Sequence, residues 1–89
     1  MRNLITDNEY VILKNIPKHY KWIARQYSSL ELFSIKPKKN HGTWGYEGRH
    51  GFLSAFDHLF QFIKWEDKEP YEIAQLISAY ETMMNNNYL

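Results

Sequence analysis

The 89 residues contain no cysteine, which excludes disulfide staples and thiolate metal sites and fits a reducing compartment. No apolar run approaches the roughly 20 residues of a membrane span. The start, Met1-Arg2-Asn3-Leu4-Ile5-Thr6-Asp7, lacks the long apolar core of a signal peptide. There is no internal repeat and no long linker, so residues 1–89 read as one domain. The recognisable catalytic arrangements are missing too. His19, His41, His50 and His58 show no pair at i, i+4 and no ligand motif. Ser28, Ser29, Ser34, Ser54 and Ser78 sit in no nucleophile elbow, and no Gly-rich loop cradles a phosphate. Asp57 and His58 are adjacent, but neighbours on a helix point about 100° apart and make a poor relay. The expectation is a soluble cytoplasmic protein that is not an enzyme and uses neither cofactor nor metal.

What the chain has in quantity is aromatic rings: three Trp, seven Tyr and five Phe. A chain of this size buries only about 60–65% of its unfolded surface, so its core is small and large rings must supply it. Charge is the second feature. Residues 1–50 hold nine Lys/Arg against Asp7, Glu9, Glu31 and Glu47, a net +5. Residues 51–89 hold Lys64 and Lys68 against six acids, a net −4. The whole-chain +1 therefore hides a polarised distribution of the kind that steers association.

Thr6 and Glu9 have capping-box spacing and open a first helix, with Ile5, Ile12, Leu13 and Ile16 at helical intervals. Pro17 ends it, because the residue before a proline is pushed out of the α region. Tyr20–Arg25 alternates, with Tyr20, Trp22 and Ala24 on one face. Leu30–Ile35 follows, Leu30 and Leu32 facing opposite to Phe33 and Ile35, with a hairpin turn around Tyr27-Ser28-Ser29. Thr43–Tyr46 is a shorter third strand between two loops, Lys36–Gly42 and Gly48–Gly51. Phe52, Phe56, Leu59, Phe60 and Ile63 make an amphipathic helical stripe, with a strand over 60–65 as the rival reading. A last helix begins at Pro70, buries Ile73, Leu76, Ile77, Tyr80 and Met84, carries its acids at the start, and frays at Asn85–Asn87. The expected fold is α+β: a small antiparallel three-stranded sheet with helices packed on one face, in the order α-β-β-β-α-α.

Three segments, taken in order, carry a resemblance. They are Leu13–Pro17 with Tyr20–Arg25, then Ile35-Lys36-Pro37-Lys38-Lys39, then Leu59–Pro70. Together they resemble a group of small uncharacterised proteins encoded by phages and prophages of Gram-positive bacteria. The match covers most of the chain. It departs at Gln26-Tyr27-Ser28-Ser29, where the group commonly has an Asp and a Gly-containing turn. The resemblance implies a small accessory protein acting in the cytoplasm of a bacterial host. It transfers no functional residue.

Two candidate surfaces remain. The acidic run offers Trp65, Glu66, Asp67, Glu69, Tyr71 and Glu72, carboxylates beside aromatic anchors, as a face for a bacterial or phage protein. Its narrowest form is an inhibitor of a host defence nuclease, its carboxylates standing in for phosphates. The plainer reading is helix N-terminal charge. The basic loops offer Lys36, Lys38, Lys39 and Arg49 with Trp44 as a small nucleic-acid-binding module, cations on phosphates and a ring on bases. The plainer reading there is solvated lysines around a core tryptophan. Both readings need the basic and acidic segments to stand apart as separate poles.

Overall fold

The computed structural model describes residues 4–87, with side chains through Asn85. Met1–Asn3, which carry Arg2 and the start of the segment read for a signal peptide, lie outside the described residues.

Helix α1 spans Asp7–Asn15 and opens on the expected capping box: Thr6 Oγ1 accepts from Glu9 N, and Glu9 Oε1 accepts from Thr6 N. Strands β1 (Trp22–Gln26) and β2 (Ser29–Phe33) form an antiparallel hairpin with Ile23 opposite Leu32. The two-residue connection places Tyr27 at a φ of +56°, a left-handed conformation rare for a bulky residue. The alternation holds. Ile23, Leu30 and Leu32 enter the main core beneath the helices, while Ala24 and Phe33 face the other side.

Three expectations need correction. The sheet has four strands rather than three. β5 (His50–Phe52), expected as the end of a loop and, at Phe52, the start of the middle helix, pairs with β2, and β6 (Tyr71–Glu72), expected as helix, pairs with β1, giving the order β5-β2-β1-β6. The segment Thr43–Gly45 is strand β4, but it lies outside this sheet. It pairs with β3 (Lys38–Asn40), expected as loop, in a separate ribbon. His41 and Gly42, with φ of +52° and +85°, supply the two left-handed residues of a type I′ turn. This ribbon covers the sheet face away from the helices, where Trp44 joins Ala24 and Phe33 in a second small core.

The third correction is the middle helix. After a single 3₁₀ turn at Ser54–Phe56, residues 57–70 run as turns, neither helix nor the rival strand. Two charged side chains from elsewhere explain it. Arg25 donates to the carbonyl oxygens of Ser28, Asp57, Leu59, Phe60 and Ile63, at 2.7–3.1 Å, which occupies all five of its N–H donors. The Glu9 carboxylate accepts from Phe60 N. Backbone groups that a helix would pair internally are thus bound from outside. Phe60 itself has φ of +56°, which no helix accommodates. The apolar spacing still reports burial in part: Phe60 and Ile63 are core, whereas Phe52 is 67% exposed.

The last helix, α2, spans Ile73–Asn87, three residues later than expected at its start and without the early fraying. Its first turn carries no acid. Ile73, Leu76 and Tyr80 are buried on the expected face, and Tyr80 stacks on Tyr10 of α1 at 4.2 Å. Both helices therefore share the core on one face of the sheet. Among the described residues, no helix is long and apolar enough to cross a membrane.

Candidate functional site

The acidic segment is a turn-rich strap rather than a helix start, and it lies against the basic ribbon. Lys36 Nζ is 3.1 Å from Glu69 Oε1. Lys39 Nζ lies between two indoles, 4.8 Å from the Trp44 ring centre and 4.2 Å from that of Trp65. It donates to the carbonyl oxygens of Trp65 and Asp67. An ammonium held by two ring faces and two carbonyls is a cation–π lock. It fastens the ribbon to the strap. The two charged segments are therefore neighbours that partly neutralise each other, and the expectation of separate poles is corrected.

This contact sorts the candidate residues. Of the basic set, Trp44 is buried, its indole N–H donating to Arg25 O at 3.1 Å, and cannot serve as an open stacking platform. Lys39 is engaged as described. Lys38 and Arg49 remain exposed, Arg49 lying 3.4 Å from His19 Nδ1. Of the acidic set, Trp65 is half-buried under Lys39 and packs against Tyr27 at 4.6 Å. Asp67 Oδ2 accepts from Lys64 N at 2.9 Å, closing a turn. Glu66 is exposed beside an open hollow near His58 and Lys64. Glu69 is exposed and paired with Lys36.

Tyr71 and Glu72 have a different setting. Together with Lys36 they line a groove of about 540 Å³. Besides β6, three further parts of the chain build it. β1 contributes Trp22, whose Cα partner across the ladder is Glu72. The loop after β2 brings Lys36, its Nζ 5.4 Å from the Trp22 ring centre. The first two turns of α2 contribute Gln75, Leu76 and Ala79, and Leu4 also lines the groove. Pro70 lies beside Tyr71 on the wall. Tyr71 also meets Phe62 edge-on at 5.2 Å. Burial, then the nearby Asp67 charge, raises its phenol above the ordinary 10.0, so the hydroxyl stays a neutral donor through the physiological range.

The groove joins members of both predicted sets, Lys36 from the basic one and Tyr71 and Glu72 from the acidic one, with apolar residues that neither set contained. Part of that lining was readable. Leu76 lies on the apolar face expected for the last helix, and Gln75 and Ala79 stand at i, i+4 beside it. Trp22 and Lys36 carried no signal for it, because only tertiary packing brings them to that helix. Chemically, the lining includes two aromatic residues, one cation and one carboxylate. That equipment suits recognition of an apolar side chain with a polar rim. Among the described residues, no group of three or more His, Asp or Glu is placed to hold a metal ion.

A scan against protein-family models, a search of curated proteins and a search of solved structures each found no match for this chain.

Proposed function

We propose that the chain is a non-enzymatic recognition module that takes an anchoring side chain of a protein partner into the groove between Trp22, Lys36 and the start of α2. The observation that carries this reading is the groove's make-up. Trp22, Tyr71, Leu76 and Ala79 all contribute to its lining, with Lys36 and Glu72 supplying opposite charges. Aromatic residues around a desolvated pocket, ringed by polar groups, are the usual seat of binding energy in protein interfaces. The phage-protein resemblance supports a bacterial or phage protein as the partner, met in a bacterial cytoplasm. Inhibition of a host defence nuclease is the narrow form of this proposal. It draws on the carboxylates still exposed on the strap, Glu66 foremost.

The test compares three proteins as bait in a Gram-positive lysate: wild type, Ala79→Arg to fill the groove, and Val11→Arg as an exposed control on α1. Far-UV circular dichroism confirms that each is folded. Partner retention should fall about tenfold or more with Ala79→Arg and stay unchanged with Val11→Arg. Equal retention by both variants would refute the groove reading. Binding of mixed DNA by the wild type at about 50 mM salt, weakening steeply as salt rises, would instead favour the nucleic-acid module.

A further inference from the structure

We propose that β5 is a strand-pairing edge whose partner is β5 of a second copy, the two joined antiparallel about Gly51. This association is independent of what the groove holds, since β5 and the groove-lining β6 lie at opposite edges of the sheet.

The hydrogen-bond pattern defines the edge. Ser34 N donates to Arg49 O at 3.0 Å, Leu32 is paired with Gly51, and Leu53 N donates to Leu30 O at 2.9 Å. Arg49, Gly51 and Leu53 therefore turn their backbone groups toward β2. In an antiparallel ladder the intervening residues turn theirs the other way. The N–H and C=O groups of His50 and Phe52 thus face out from the sheet. Among the described residues, no backbone partner meets them.

The side chains beside this edge are rings. His50 and Phe52 share one face, 4.8 Å apart, and Tyr46 stacks on His50 at 4.2 Å. Phe52 is 67% exposed and Tyr46 49%. His50 is fixed from the side by a 2.8 Å contact with Glu31 Oε1 of β2, so the row is pre-arranged. Natural edges are commonly guarded by lysine, proline, a bulge or a cover. The opposite edge is preceded by Pro70. Within β5 itself there is no lysine or proline, and among the described residues no strand pairs with its outer edge; the exposed Arg49 that precedes it is its one flanking charge.

The occupant follows from complementarity. A strand of the same sequence, turned about a two-fold axis at Gly51, sets His50 opposite Phe52 of the second copy and Phe52 opposite its His50. Both are then hydrogen-bonded pairs, which gives four main-chain bonds. The strand His50-Gly51-Phe52 carries no fixed charge, so two copies meet without repulsion. Each Phe52 finds an imidazole across the pair, and aromatic cross-strand pairs stabilise such ladders. Both ring rows fall on one face of a continuous eight-stranded sheet, and the contact is isologous and closed. The two grooves would lie at its far ends, which makes the pair bivalent.

Sedimentation equilibrium from about 10 µM to about 1 mM reads the association. The expected result is an average mass rising from the monomer's 10.8 kDa toward twice that value. Phe52→Lys should weaken association about tenfold or more while leaving the far-UV spectrum intact. Amide hydrogen exchange on wild type is the second measurement and needs no variant. Protection at His50 and Phe52 should grow with concentration. A mass fixed at the monomer value, with those two amides unprotected throughout, overturns the proposal. So does association that Phe52→Lys leaves unchanged, or protection that appears only when a foreign extended peptide is added.

Discussion

Arg25 is the residue on which the loop architecture depends. One guanidinium satisfies five carbonyl oxygens, four of them in the stretch Asp57–Ile63. A lysine at this position keeps the charge but has three donors on a point-like head, without the planar fork. Arg25→Lys should therefore strand several carbonyls and cost about 2–4 kcal/mol, measured as a lower urea midpoint with unchanged slope. An unchanged midpoint would show that water replaces the guanidinium without loss. Glu9 works beside it, one oxygen capping α1 and the other holding Phe60 N. Its capping role was plain from the spacing to Thr6. Its second role was not, because Phe60 is 51 residues away in sequence. Arg25 was similarly opaque, since a cation at the end of an alternating strand looks like ordinary surface charge.

The ribbon β3–β4 shows the same division among elements. Its turn was legible as a Gly-containing loop, and Trp44 was recognised as a core candidate. Its attachment was not, because Lys39 reads as one more lysine in a basic run. The attachment depends on a cation between the Trp44 and Trp65 rings and on two carbonyl acceptors. Lys39→Met keeps the stem's bulk and removes the charge, so it tests the lock directly. Desolvated cation–π contacts contribute about 2 kcal/mol. The variant should lose about 1–2 kcal/mol and shift tryptophan emission, as the ribbon loosens from the 65–67 strap. Wild-type emission and stability together would remove the lock. The middle segment carries the converse lesson. Its helical spacing is genuine, but a period of apolar residues says only which residues want burial. Arg25 and Glu9 took the hydrogen bonds that would have made it a helix, and the same rings were buried on a looped backbone.

For the molecule as a whole, charge distribution decides less than the primary structure suggests. Lys36 and Glu69 are 53% and 75% exposed, so their pair is worth little and is readily screened. Raising salt from about 0.05 M to about 0.5 M should move unfolding stability by less than about 1 kcal/mol. A larger loss would mean that polar attraction between the two halves holds the fold together. The sequence by itself determined the α+β class, the capped first helix, the β1–β2 hairpin, and the buried faces of the sheet and of α2. These are local matters of period, capping and steric preference, settled within a few residues. Only the tertiary structure decided that the basic and acidic segments meet, that the middle stripe forms a loop, and that Trp22, Lys36 and α2 enclose a groove. Each of those depends on side chains finding partners far along the chain, and linear spacing carries no record of such a meeting.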